Sequence, residues 1–348
     1  MIWLAGLLAA AAPAAVCPPG TSLAYICGPA RPEDVLAIPG TRWLIASGFA
    51  PGAGLKLVDT DRHVSTGWYD GSATQIAPDH AAYPDCPGPV DSTLFNARGL
   101  SLRKVEGGHY TLHVVNHGGR ESIEIFDVTV ENDRPNLRWR GCRLMPPGQV
   151  GNSVATFTDG TLLVTVLNRP GTTIADFVLG KRTGAVWQWR PNATSFAEIP
   201  GTQLPGNNGL ETDPDERHFY VVAFGWRAVV VYDRHRPKKP VRTIEMPGFM
   251  PDNVHWTDGR LVAAGMRFDE PACGGLRRVV NGEADRMLCH RGYVAAEIDP
   301  ARGTVSTLAY GEPEEAFNGV SAAAILGDTI WLGSYQADRL AYRKLPGR

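Results

Sequence analysis

Six short polar clusters recur along the 348-residue chain, each just ahead of an apolar run. They are Pro32-Glu33-Asp34, Asn96-Ala97-Arg98-Gly99, Gly151-Asn152-Ser153, Asn207-Asn208-Gly209, Pro251-Asp252-Asn253 and Phe317-Asn318-Gly319. Taken singly, Asn and Asp beside Gly are ordinary turn residues. Taken at equivalent points of a repeat, Glu33, Asn152, Asn208, Asp252 and Asn253 make a set of two carboxylates and three carboxamides. That is the chemistry of a hard cation. Calcium takes about six to eight oxygen ligands from carboxylates, amide carbonyls and water, and two carboxylates match its charge. Arg98 and Asn318 hold the remaining entry positions.

A second candidate lies in Leu112–Val128, LHVVNHGGRESIEIFDV. Branched and aromatic residues in two short runs, with Gly118-Gly119 between them, read as a β-hairpin. His117 stands at the end of the first run, where an open site could use an imidazole that titrates near neutral pH. His109, His113 and His117 recur every four residues. On a strand that spacing is about 13 Å, too far to share an ion, so His109 and His113 read as surface or packing residues. His255 follows Asn253 by two residues and would share its strand face; it reads first as a packing residue, with a place in the channel as the alternative.

These residues need a scaffold that gathers them. Each cluster opens a unit with the same plan: a strand, a tight turn such as Thr158-Asp159-Gly160 or Thr257-Asp258-Gly259, a second strand, and a third strand closing near Asp or Arg. Helical periodicity is absent nearly everywhere, and 175–181 could form one helical turn inside a loop. Strand-rich units of roughly 40 to 65 residues are the signature of propeller blades. The expected fold is therefore all-β, a six-bladed β-propeller. In such a ring the first strand of each blade lines the channel, and the entry residues meet at one end of the axis. The segment 17–30 is expected to supply the outer strand that closes the ring.

The composition fits. Hydrophobic residues make up 43%, with 39 glycines and 27 prolines, as in a turn-rich globular chain. A net charge of −2 with no basic run gives no footprint for nucleic acid. Residues 2–15 are apolar, rich in Leu and Ala, and end in Ala12-Pro13-Ala14-Ala15. The expectation is a signal peptide at 1–15, too short to span a bilayer, a propeller domain at 16–348, and a secreted or periplasmic location. An even count of six cysteines after an export signal suggests disulfides, with Cys273 and Cys289 placed to staple a polar insert. GxSxG, HExxH, P-loop and Rossmann glycine patterns are absent.

VVNH at Val114–His117, followed by a turn and IEIF, resembles the paraoxonase/arylesterase group. That group belongs to the calcium-dependent propeller superfamily that includes gluconolactonase and strictosidine synthase-like proteins. PED at Pro32–Asp34, GNS at Gly151–Ser153, NNG at Asn207–Gly209 and PDN at Pro251–Asn253 extend the resemblance from Pro32 to the C-terminus. It implies that Glu33, Asn152, Asn208, Asp252 and Asn253 hold a catalytic calcium, and that His117 matches the second histidine of a catalytic pair. There are departures. The first histidine of the family's His-Gly-Ile/Leu-Ser motif falls on Arg98 in Arg98-Gly99-Leu100-Ser101. An arginine stays protonated and cannot act as an ordinary base. The family's second, buried calcium uses an aspartate where this chain has Ser153; Asp34 remains for it, with the Leu100 carbonyl as a further donor. The family's disulfide to the C-terminus has no counterpart, because no cysteine follows Cys289.

The expected function is a calcium-dependent lactonase or arylesterase acting on a small-molecule lactone or ester. His117 would handle the proton, and Arg98 would bind an anionic group. The alternatives are a non-catalytic ligand- or protein-binding propeller with structural calcium, or another metal-assisted reaction in the same pocket, such as isomerisation or phosphotriester hydrolysis.

Overall fold

The computed structural model describes residues 17–346, so the expected signal peptide lies outside the described residues. Strand β1 (Ala24–Cys27) comes before the first blade. Blade 1 is β2 (Val35–Ala37), β3 (Trp43–Ala46), β4 (Lys56–Asp59) and β5 (Val64–Gly67). Blade 2 is β6 (Ala97–Glu106), β7 (His109–Asn116), β8 (Ser122–Glu131) and β9 (Arg134–Leu144). Blade 3 is β10 (Gly151–Thr156), β11 (Leu162–Val166), β12 (Ala185–Trp189) and β13 (Ala197–Glu198), with helix α1 (Ile174–Val178) in the loop after β11. Blade 4 is β14 (Asn207–Thr212), β15 (His218–Ala223), β16 (Ala228–Asp233) and β17 (Pro240–Glu245). Blade 5 opens with β18 (Phe249–Thr257) and β19 (Arg260–Arg267). It is then interrupted by an insert carrying the two-residue strands β20 (Asp269–Glu270), β21 (Gly275–Leu276), β22 (Val279–Val280) and β23 (Glu283–Ala284), and resumes as β24 (Tyr293–Asp299) and β25 (Thr304–Gly311). Blade 6 is β26 (Val320–Leu326), β27 (Thr329–Ser334) and β28 (Arg339–Lys344).

Each blade is an antiparallel meander of four strands, one more than the repeat suggested. The fourth strand of blade 6 is β1, which pairs with β28 from Ala24 opposite Tyr342 to Cys27 opposite Arg339. The N-terminal segment therefore closes the ring, and the disulfide Cys17–Cys27 ties the end of that strand back to the segment before it. The other cysteines pair as Cys86–Cys142 and Cys273–Cys289, the latter stapling the insert. Among the described residues no helix is long and apolar enough to cross a membrane.

Alternation along each strand builds the ring. Successive side chains point to opposite faces of a blade, and in a ring both faces meet a neighbour. Val221 packs with Leu163 and Val186 of blade 3, whereas Val222 packs with Val254 and Leu261 of blade 5. The same rule holds all round. Leu112 and Val114 face Leu36 and Ile45 of blade 1, while Val115 and Ile123 face Val154 and Val164 of blade 3. Val262 and Ala264 face Ile325 and Leu332, and Ala324 and Trp331 face Val35 and Leu44. Six apolar layers thus fill the six gaps between blades. A seventh cluster, Phe177, Phe224, Met250, Met266 and Met287, lies at the end of the ring where the inner strands begin. It brings α1 and the insert together over that mouth.

Candidate metal centre

The inner strands share one irregularity. Pairing with the second strand slips between Ala97 and Leu100, Gly151 and Val154, Asn207 and Leu210, Pro251 and Val254, and Val320 and Ala322. A β-bulge leaves extra residues unpaired and re-aims their side chains. The residues freed are Arg98-Gly99, Asn152-Ser153, Asn208-Gly209, Asp252-Asn253 and Ser321. In blade 1, Glu33 and Asp34 stand immediately ahead of β2. The recurring polar clusters are therefore recurring bulges at one end of the channel. Two glycines let neighbouring bulges approach. A methyl group at Gly99 would stand 2.5 Å from the Ser153 Cα, and one at Gly209 would stand 2.6 Å from the Asp252 carbonyl oxygen.

Glu33, Asn152, Asn208, Asp252 and Asn253 are all buried. The Asn253 amide donates to Glu33 Oε1 at 3.2 Å and to the Glu33 carbonyl at 3.3 Å, and the Asn208 amide donates to Asp252. Ser321 Oγ donates to the Glu33 carbonyl at 2.6 Å. Arg98 Nε lies 3.7 Å from Glu33 Oε1, and its guanidinium rests 4.5 Å over the Phe49 ring. What remains unused is the informative part. Glu33 Oε2 and the side-chain oxygens of Asn152, Asn208 and Asn253 are buried and accept no hydrogen bond. Buried polar atoms are rarely left so, and several together mark a missing partner.

Charge gives the same answer. Burial pushes the Glu33 carboxyl up to about 8, with Arg98 opposing and Asp252 and Asp34 adding to the rise. Burial also pushes Asp252 up to about 7, against the pull of Arg98 and the Asn208 amide. Two carboxylates share one guanidinium here, and the site is short of positive charge. The donor set is all oxygen and hard, which fits a calcium-like ion and not a thiophilic one. Among the described residues no three carboxylate, imidazole or thiol side chains group closely enough to bind a metal by themselves. The amides would have to complete the shell.

Asp34 sits differently. It is buried, and its Oδ1 accepts from the Val35 N–H (2.9 Å) and faces His255 Nε2 (2.8 Å). Its Oδ2 accepts from the Leu100 N–H at 2.8 Å. The other His255 nitrogen, Nδ1, lies 3.3 Å from Glu211 Oε2. Burial alone would lower the His255 pKa, but Asp34 and then Glu211 overcome it and raise it to about 10. The His255 ring thus bridges two carboxylates, Asp34 ahead of blade 1 and Glu211 of blade 4, and the Ser153 hydroxyl is buried without a partner. Asn318 also departs from the expected pattern. Its amide is spent on the Arg291 N–H, the Met287 carbonyl and Gln336, bracing the insert, and the bulge position of blade 6 belongs to Ser321.

His117 closes β7 at the same end, one residue past Asn116, which pairs with Ala97 next to Arg98. Its ring meets Phe49 edge-on at 6.1 Å, so Phe49 touches both Arg98 and His117. His117 Nδ1 lies 2.8 Å from Glu121 Oε2, and Nε2 is buried without a partner. No motif or spacing pointed to Phe49 or Glu211. Glu121 was legible in principle, since the hairpin register that sets Asn116 opposite Ser122 places Glu121 beside His117.

A ring of six four-stranded sheets with a polar, oxygen-rich centre at one mouth defines a six-bladed β-propeller with a candidate cation site. No protein-family model matches the chain, and no curated protein matches it in sequence. Solved structures do. Regucalcin from Agrobacterium tumefaciens strain C58, a calcium-binding protein, matches with a TM-score of 0.50 at 11% identity, over 95% of this chain and 96% of its own. A luciferin-regenerating enzyme matches with a TM-score of 0.49 at 13% identity, over 93% and 92%. A chain of a nidogen/laminin complex gives 0.49 at 11%, over 88% and 90%. At these identities the likeness is one of fold, and regucalcin is what carries it.

Proposed function

We propose that the protein is a calcium-dependent hydrolase of lactones or aryl esters. The observation that carries this reading is the group of buried, unsatisfied oxygens on Glu33, Asn152, Asn208 and Asn253, set beside a carboxylate pair with too little positive charge. These residues, with Asp252, would hold the ion. A calcium ion bound there would supply Lewis-acid polarisation of a carbonyl. The chain supplies the rest. His117 Nε2, bare and buried, takes the proton of the attacking water, which is general-base work. Arg98, flat on Phe49, holds an anionic group of the substrate or the negative charge that develops on it. Its nearness to a cation is costly unless an anion joins both, so an anionic lactone or ester is the favoured class. Three disulfides support a secreted or periplasmic setting.

The test is hydrolysis of a panel of lactones and aryl esters, anionic and neutral, with calcium and with chelator. Turnover that chelation abolishes and calcium restores is expected; equal rates in both conditions would sink the proposal. One observation favours a second reading. Arg98 lies 3.7 Å from Glu33 and supplies part of the missing charge itself, as a scaffold without catalysis would need. In that case calcium raises the melting temperature while no panel member is turned over.

A further inference from the structure

The turn that carries His117 is more tightly held than a hairpin requires. Asn116 is fully buried and pins the turn from inside. Its Oδ1 accepts from the N–H groups of Gly118 (2.8 Å) and Asn96 (3.2 Å). Its Nδ2 donates to the carbonyls of Gly118 (3.1 Å) and Arg120 (3.2 Å) and to Ser122 Oγ (3.3 Å). The His117 N–H donates to the Asn96 carbonyl at 3.1 Å. Gly118 passes so near Leu94 that a methyl group there would stand 1.8 Å from the Leu94 carbonyl oxygen, and Gly119 takes φ 74°. A side chain at Gly118 would have to move the turn, and one at Gly119 would be strained by its positive φ. This frame sets Glu121 Oε2 at 2.8 Å from His117 Nδ1, while Nε2 remains buried and unpartnered.

A neutral imidazole has one N–H and one lone pair, and a carboxylate can only accept. The contact therefore places the hydrogen on Nδ1 and the lone pair on Nε2. We propose that Glu121 is a positioning residue: it fixes His117 as the Nδ1–H tautomer and so makes Nε2 the base of the site. The tautomer stands on geometry alone; the catalytic half rests on the hydrolase reading above. In the step, the water oxygen bonds to the acyl carbon as its proton passes to Nε2. The bond from that carbon to the leaving oxygen then breaks, and the proton on Nε2 passes to that oxygen. Glu121 stays a carboxylate throughout and steadies the transient imidazolium through Nδ1–H. A carboxylate and one imidazole thus do this work where an arginine occupies the place of a second histidine.

The experiment is side-chain ¹⁵N NMR of the intact protein at pH 8, with His117 assigned by comparison with His117→Asn. The wild type should show the Nδ1–H tautomer, Glu121→Gln should keep it through its amide oxygen, and Glu121→Ala should move it to Nε2–H. On a substrate from the panel, Glu121→Ala should lose at least about tenfold in kcat, with KM within about twofold and Glu121→Gln losing less. An Nε2–H or doubly protonated His117 in the wild type overturns the proposal. So does a Glu121→Ala variant that keeps both tautomer and kcat. The wild-type spectrum decides even if a variant fails to fold. Absence of turnover on the whole panel would count against the hydrolase reading, leaving the spectrum to judge Glu121.

Discussion

Glu33 and Asp252 are two buried carboxylates served by one guanidinium, and that imbalance has a sign that can be measured. Without metal, Asp252→Asn removes a charge that costs stability, so its melting temperature should match or exceed the wild type's. With calcium the order should reverse. An ion at a hundredfold excess over its Kd adds about 2.7 kcal/mol to the folded state, and Asp252→Asn should lose most of that rise. Thermal melts with chelator and with calcium check both arms. His255 poses the opposite case. It is the cation for Asp34, and His255→Leu leaves that carboxylate buried beside only backbone donors. A loss of about 3–5 kcal/mol is expected in urea unfolding. His113 supplies an acid limb. Burial, then the nearby Arg103 guanidinium, lowers its pKa from 6.5 to about 4. Lys104, Arg143, Asp85 and Asp159 line the same cleft. Below pH 6.5 the unfolded chain takes up a proton that the folded chain refuses, so stability falls from pH 6.5 to about 4. At about 1.4 kcal/mol per pH unit the loss approaches roughly 3 kcal/mol. Unfolding free energies of His113→Leu should lack that part of the slope. At this scale the sequence was most legible where residue type recurred at one point of the repeat. Asp34 was harder to read, because its partners His255 and Leu100 lie on other blades and only the closed ring brings them near.

The bulge is the element that brings the candidate ligands to one end of the channel. Five of the six inner strands slip at the same depth, and the residues freed there include every amide of the candidate shell. Gly209 makes the geometry possible, since its missing Cβ lets the bulge of blade 4 lie against that of blade 5. Gly209→Ala should cost about 1–3 kcal/mol by overpacking, and should weaken calcium binding more than Gly67→Ala, whose new methyl meets open space. Calcium titration alongside urea unfolding separates the two effects. Strands, tight turns and hairpins were readable from alternation and from Asp-Gly and Gly-Gly pairs. The bulges were not, because one extra residue in a strand leaves no mark in composition. The fourth strands of blades 1 to 5 were also missed. β13 has two residues and β17 is largely exposed, so neither carries the apolar signal that betrays a strand.

At the scale of the whole molecule the ring is what makes a site from residues as distant in the chain as Glu33 and Asn253. Six apolar layers fix each blade against two neighbours, and β1 closes the circle on β28, so no inner strand can drift without opening a gap. The repeat was visible because every blade begins alike, and the closing strand because one segment was left over ahead of the first unit. The insert between β19 and β24 shows in sequence as two cysteines around a polar stretch. Its placement over the mouth, through Met287 against Phe177 and Phe224, depends on contacts among three blades and had to be seen. Isothermal titration of the chelator-stripped protein with calcium tests the account most directly. It predicts a saturable site that Asn208→Ala weakens at least about tenfold and Asp252→Asn nearly abolishes, both variants keeping the wild-type fold. No calcium binding by the wild type, or binding that neither substitution changes, would contradict it.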